Sequence, residues 1–235
     1  MGVFDFFMSA DKRIARQQRT LTNRDVQADD REKSARWLAD NGTPKALVAL
    51  LTRFDLQLEN GLKDQAEKEL VYKLALAFGP AIERPLERHL ERCRQISLPL
   101  RMYVELRGEA AAIVKVFEVL EHERKKDDFK PQKKLDLLVW LAERRHPGAV
   151  EAAASSLEDF DEGVRYAAAE VIIGQQTEAG RPHLERILRN AAEESNRLRV
   201  RIADVFAQRR WSVEDAGAVH LPGGFAVREG RVVAA

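Results

Sequence analysis

The sequence predicts an all-α fold built from repeated helical hairpins. A helix-capping position, a base four residues later and an apolar residue seven residues later occur together five times, at intervals of 31 to 34 residues. Prolines precede a second set of apolar runs, which lie between these five segments. Few stretches alternate with the period of a β-strand. A repeat of two helices per unit is therefore the architecture that the pattern favours.

Residues 1–40 are expected to form an N-terminal arm and a helical cap. Helical spacing predicts two helices here, over residues 9–21 and 30–40. Ser9 is the expected N-cap of the first, and either Asp29 or Asp30 is the N-cap of the second. A repeat array needs such an end, because its terminal apolar face would otherwise be exposed to water.

Residues 41–212 carry the repeat itself. The positions that begin the second helix of each hairpin are Asp64, Ser97, Lys130, Asp161 and Ser195. The bases four residues on are Lys68, Arg101, Lys134, Arg165 and Arg199. The apolar residues seven on are Val71, Val104, Leu137, Ala168 and Ile202. Four of the five starting residues have side chains that cap helices, and Lys130 is followed by Pro131, which suits a first helical position. The first helices are expected to begin near Pro44, Pro80, Pro147 and Pro182.

Residues 213–235 break the helical period. Within GGFAVREGRVV, two short apolar runs flank Glu229 and Gly230. This pattern is typical of a β-hairpin with a two-residue turn, in which glycine supplies a positive φ. We expect a small hairpin that covers Trp211, with an unstructured tail as the alternative.

The segment DEGVRYAAAEVIIG resembles the second helix of a short bacterial HEAT repeat. The matching residues are Asp161, Val164, Arg165, Ala168, Ala169 and Glu170. The resemblance implies a right-handed α-solenoid of about five HEAT-like hairpins. It also implies a ladder, in which Arg165 and its equivalents meet a capping acid or the free helix end of the next hairpin. A ligand-binding groove lined by the same bases is the alternative.

Composition favours a cytoplasmic binding protein. The 39 basic and 38 acidic side chains give a formal net charge of +1, which is too small to attract nucleic acid unless bases cluster on one face. The single cysteine, Cys93, excludes an internal disulfide and favours a reducing compartment. No run approaches the ~18 apolar residues that a membrane-spanning helix needs.

The sequence predicts no metal, no cofactor and no enzymatic activity. His89 and Cys93 lie four residues apart, a spacing that zinc sites use, but two ligands do not make a site. A surface histidine beside a partly buried thiol is the favoured interpretation. The stretch EHE around His122 resembles the histidine–glutamate pairs of deoxyhypusine hydroxylase, an iron enzyme built from HEAT repeats. That family repeats the pair, whereas this chain has it once. No nucleophile elbow or phosphate-binding loop is present.

The functional hypothesis is a non-catalytic scaffold or adaptor that binds a protein partner on the solenoid surface. The candidate partner-binding residues are Phe4, Phe6, Phe7, Arg101, Lys134, Arg165 and Arg199. The alternative is a nucleic-acid-binding module that uses two basic stripes, over residues 12–24 and 197–210. The bases of the first are Lys12, Arg13, Arg16, Arg19 and Arg24, and those of the second are Arg197, Arg199, Arg201, Arg209 and Arg210.

The first eight residues, MGVFDFFM, place three phenylalanines ahead of a basic helix. Burying each of these side chains offers roughly 1.5–3 kcal/mol, enough to order a short arm. The arm is expected to fold back on the helical cap. Alternatively, it docks on a partner or makes peripheral contact with an anionic membrane surface.

Overall fold

A computed structural model describes residues 9–126 and 130–235. Within them the chain forms twelve α-helices and one two-stranded antiparallel sheet. The predicted helical content and the predicted C-terminal hairpin are therefore both present. The helices are α1 (Ala10–Leu21), α2 (Ala28–Asn41), α3 (Pro44–Leu51), α4 (Gly61–Leu76), α5 (Glu83–Arg92), α6 (Ser97–Arg107), α7 (Glu109–Arg124), α8 (Gln132–Ala142), α9 (Ala149–Ala154), α10 (Glu162–Gly174), α11 (Arg181–Arg189) and α12 (Asn196–Arg209). The strands are β1 (Phe225–Arg228) and β2 (Arg231–Ala234). In the two described ranges, no helix is both long enough and apolar enough to cross a membrane.

The chain divides into two compact units, one ending at Lys115 and the other beginning at Val116. In the first unit, α1, α2 and α3 pack on one another, and α3 also packs on α5. A 3-10 helix, Thr52–Asp55, continues α3. Apolar side chains such as Leu50 and Phe54 are buried there because helical spacing places them on the inner face.

The central helix of the second unit is α10, which packs against α8, α9 and α12. Its buried residues are Val164, Ala167, Ala168, Ala169, Val171, Ile172 and Ile173. The alanines let neighbouring helices come close, and Gly174 lies at one such close approach. A Cβ at Gly174 would lie 2.9 Å from the carbonyl oxygen of Ala142, so only glycine fits this contact without a shift of the backbone.

Helix starts agree with the sequence at some repeats and depart from it at others. Asp161 and Ser195 are N-caps as predicted, and each side chain accepts the backbone N–H three residues on, at 3.0 and 3.1 Å. The prediction for Asp64 is wrong, because α4 begins earlier, with Asn60 as its N-cap. The Asp64 carboxylate instead accepts a hydrogen bond from the fully buried guanidinium of Arg53 at 2.8 Å.

Three further predictions of helix starts are wrong. Pro131 is the N-cap of α8 and not its first residue. Ser97 is the first residue of α6 and not its N-cap. The N-cap of α2 is Gln27, so Asp29 and Asp30 lie within the first turn of that helix. Negative charge is favourable there, because the helix dipole is positive at that end.

The C-terminal hairpin has the turn that the sequence predicts. Arg228 pairs with Arg231 across the two strands, which leaves Glu229 and Gly230 as the turn, with φ of 49° and 71°. Positive φ at both turn residues matches the right-handed twist of the flanking strands. The hairpin packs on α12 through β2, and Trp211 is buried near this end of the second unit.

Candidate interaction surface

Arg165, on α10, is held by an acid that lies just ahead of α12. Its Nε and Nη2 donate to the two carboxylate oxygens of Glu193 at 2.9 and 2.8 Å, and its Nη1 donates to the backbone carbonyls of Asp159 and Phe160. Glu193 also accepts the N–H of Ser195, the N-cap of α12, at 2.8 Å. The acid that meets the arginine therefore lies two residues ahead of the cap and is not the cap itself.

Both members of this pair are charged at neutral pH. Burial by itself would raise the pKa of Glu193, but hydrogen bonds from Arg165 and from the backbone of Ser195 lower it by more, so the net pKa lies below the ordinary value. The hydrogen bond to Glu193 likewise raises the pKa of Arg165, against the opposing effect of burial.

Lys134, on α8, repeats the arrangement one hairpin earlier. Its ammonium group pairs with Asp159, and Asp159 accepts the N–H of Asp161, the N-cap of α10, at 3.0 Å. Asp159 and Glu193 thus occupy equivalent places, two residues ahead of a capping side chain. The sequence contains this recurrence, but the prediction named only a capping acid or the free helix end as the partner of each base.

The other two predicted partner-binding bases also have contacts within their own units. Arg199 donates to the backbone carbonyls of Asn190 and His220 at 2.8 and 3.1 Å. The guanidinium carbon of Arg101 lies 4.9 Å from the ring centre of Tyr72. Phe4, Phe6 and Phe7 lie outside the described residues. The packed, partner-bound and membrane-bound alternatives for the N-terminal arm all stay predictions.

A different set of side chains on α8, α10 and α12 points away from the core. It comprises the residue after each base and the residue four positions further on, which shares its helix face. The members are Leu135, Val139, Tyr166, Glu170, Val200 and Asp204, and together we call them the α8–α10–α12 face. Val139 is 53% exposed and Val200 is 37% exposed, and the other four are partly exposed.

Arginines of α12 link this face to α10. Arg201 donates to the two carboxylate oxygens of Glu170 at 2.5 and 3.0 Å. The guanidinium of Arg197 lies 4.1 Å from the ring centre of Tyr166 and also pairs with Glu162 at 2.8 Å. Because these charges are compensated within the unit, the side chains most suited to contact another molecule are the apolar ones.

The two basic stripes differ in how exposed their bases are. In the stripe over residues 197–210, two arginines pair with acids as just described. Arg209 donates to a backbone carbonyl at 2.6 Å, and its pKa is lowered chiefly by burial. The bases of the other stripe are all exposed, and they are Lys12, Arg13, Arg16, Arg19 and Arg24.

His89 does not lie on the surface, so the interpretation made from its spacing is wrong. It is 3% exposed, and Cys93 is 2% exposed. His89 lies four residues after Pro85 and three after Leu86, and both of these are buried, which places it on the buried stripe of α5.

In the EHE stretch, His122 is exposed and both carboxylates are bound by bases. Glu121 pairs with Arg124 at 2.8 Å. The buried carboxylate of Glu123 pairs with Lys133 at 2.8 Å. These acids therefore serve as ion-pair partners.

No match to this chain is found among models of protein families, among curated proteins or among solved structures. Its resemblance to HEAT repeats stays a prediction from the residue pattern.

Proposed function

We propose that the protein is a non-catalytic scaffold or adaptor that binds a protein partner on the α8–α10–α12 face. The observation that carries the proposal is the exposure of Val139 and Val200 on two helices, α8 and α12, that both pack on α10. Leu135 on α8 and Tyr166 on α10 are partly exposed and add apolar area on these helices. Apolar side chains exposed together on one surface are typical of protein contacts, and aromatic residues such as Tyr166 are enriched there.

The charged residues that the sequence predicts to bind a partner have a supporting role in this proposal. The pairs Lys134–Asp159 and Arg165–Glu193 tie each second helix to the segment ahead of the next one. In this proposal, the two ion pairs keep the exposed faces of α8, α10 and α12 fixed relative to one another within the second unit. A surface that is rigid before binding loses less conformational entropy when a partner docks.

The test is a double substitution, Val139→Glu with Val200→Glu, compared with Leu62→Glu. Leu62 lies on α4 and is 83% exposed, so it controls for adding charge at an exposed apolar site outside the face. A partner is captured from the native host, identified by mass spectrometry and purified, and its affinity for each variant is measured. We expect the double variant to bind at least about tenfold more weakly, since buried hot-spot contacts each contribute over 1 kcal/mol. Equal binding by the double variant, or a loss only in the Leu62 control, would contradict the proposal.

The proposal also covers the type of helical repeat and the cellular location. We propose that the hairpins are HEAT-like and that the protein acts in the bacterial cytoplasm. Support comes from the adjacent second helices of the second unit and from the recurrent acid two residues ahead of the cap. The single cysteine supports a reducing compartment.

Nucleic-acid binding is the second candidate, and the exposed bases of α1 favour it. Phosphate contacts by these bases would release counterions, so affinity should fall linearly on a log–log plot against salt, with a slope of about −0.9 per phosphate contacted. Fluorescence anisotropy with labelled duplex DNA measures that slope. The triple variant Lys12→Glu, Arg13→Glu and Arg19→Glu should flatten it, while Arg36→Glu on α2 serves as the control. An unchanged slope in the triple variant would exclude this use of α1.

A further inference from the structure

Three side chains with different ligand atoms converge beside the end of α5. Asp55 ends the 3-10 helix that continues α3, His89 lies on α5, and Cys93 is the C-cap of that helix. One carboxylate oxygen, one imidazole nitrogen and the sulfur atom all lie within 4.8 Å of one another. The three residues are separated in sequence, and packing of α3 on α5 brings them together.

The backbone holds these side chains in place. His89 and Cys93 are four residues apart, so they project from one helix face, and the N–H of Cys93 donates to the His89 carbonyl at 2.7 Å. Asp55 Oδ1 accepts the backbone N–H groups of Arg94 and Gln95 at 2.7 and 3.0 Å. These two bonds fix the carboxylate next to the cysteine, which is the orienting role that outer hydrogen bonds have in metal sites.

We propose that Asp55, His89 and Cys93 bind one Zn²⁺ ion. Tetrahedral zinc with bonds of roughly 2.0 Å to oxygen and nitrogen and ~2.3 Å to sulfur places its ligand atoms about 3.3–3.5 Å apart. Small side-chain movements reach that separation from the observed cluster. A thiolate, an imidazole and a carboxylate together suit zinc, whereas Mg²⁺ and Ca²⁺ prefer sites made only of oxygen.

The partly exposed position of Asp55 leaves one side of the cluster open to solvent, from which water fills the fourth coordination position. His89 and Cys93, which are buried, hold the ion against the core of the first unit. The ion would link the segment after α3 to the end of α5. Because zinc then binds the folded form in preference to the unfolded chain, it stabilises this unit. The site is independent of the proposed partner-binding face.

The test begins with the full-length protein after treatment with a chelator and removal of the chelator. Titration with Co²⁺ should produce a thiolate-to-metal charge-transfer band, which only Cys93 can supply in a chain with one cysteine. Zn²⁺ should abolish the band at one equivalent and raise the thermal midpoint of the wild-type protein. These measurements on the wild type need no variant. A missing band, or no rise of the midpoint with zinc, overturns the proposal.

Asp55→Asn is the most informative variant, since its amide oxygen still accepts the backbone N–H groups that Asp55 holds, while the charged ligand is lost. We expect its zinc affinity to fall by more than about 100-fold, because even outer hydrogen-bond partners of zinc ligands contribute roughly 10–100-fold. His122→Gln removes an exposed histidine as the matched control and should bind as tightly as the wild type. Unchanged affinity in Asp55→Asn, or an equal loss in His122→Gln, overturns the assignment of the ligands.

Discussion

Replacing Arg165 with alanine should destabilise the second unit by about 1–3 kcal/mol. Removing one partner of a fully buried ion pair costs about 3–5 kcal/mol, because the remaining charge is left desolvated. Here Glu193 is deeply buried, with 2% of its side chain exposed, while 16% of the Arg165 side chain is exposed. Water entering beside Glu193 reduces the cost below the fully buried value. The loss of hydrogen bonds to two backbone carbonyls adds to it.

The destabilisation should depend on pH in a defined direction. The folded pKa of Glu193 lies below its ordinary value of 4.5. The ion pair therefore contributes its full stability at pH values above 4.5, and this contribution is lost as the pH falls through the folded pKa. In the alanine variant the hydrogen bond from Arg165 is gone, and burial shifts the pKa of Glu193 upward. The difference between wild type and variant should therefore be largest at neutral pH and shrink in acid.

Urea denaturation followed by tryptophan fluorescence checks both statements, because Trp140 and Trp211 lie in the second unit. Arg186→Ala is the matched control. Arg186 pairs with Glu158 at 3.4 Å, and both side chains are exposed. Exposed ion pairs of this kind contribute about 0–1 kcal/mol. An unchanged midpoint in Arg165→Ala, combined with loss of partner binding, would refute the structural role and favour ligand binding by Arg165.

Two further predictions concern packing in each unit. Gly174→Ala should destabilise by about 1–3 kcal/mol, since its Cβ would collide with the Ala142 carbonyl; a thermal midpoint equal to the wild type would show that the helices separate without cost. Glu67→Gln should cost about 1–3 kcal/mol at neutral pH, because Glu67 binds the buried guanidinium groups of Arg31 and Arg53 at 2.7 and 3.0 Å. The cost stays below that of a fully buried pair, since 14% of the Glu67 side chain is exposed and Arg53 keeps its pair with Asp64. Burial raises the pKa of Glu67, and hydrogen bonds from those arginines lower it by more, to a net value below 4.5. The loss should accordingly vanish in acid, where wild-type Glu67 is protonated, and an equal loss at both pH values would contradict it.

Local chemistry was enough to predict much of the secondary structure. The caps at Asp161 and Ser195 and the turn at Glu229 and Gly230 depend on groups within a few residues of each other, so their signals are complete in a short stretch of sequence. The prediction that Asp64 caps α4 is wrong for a nonlocal reason. Its carboxylate suits a cap, but the buried charge of Arg53 binds it, and Asn60 caps α4 in its place.

The candidate sites depended on tertiary structure because their members come from different helices. The resemblance to a HEAT repeat predicted that Arg165 meets a group of the next hairpin, but only packing identified Glu193, two residues ahead of the cap. His89 and Cys93 were visible as a pair, whereas Asp55 lies far from them in the chain and approaches through the contact of α3 with α5. Helical periodicity specifies which faces are apolar. Which charged groups meet across those faces is decided by the helix packing that brings their side chains within bonding distance.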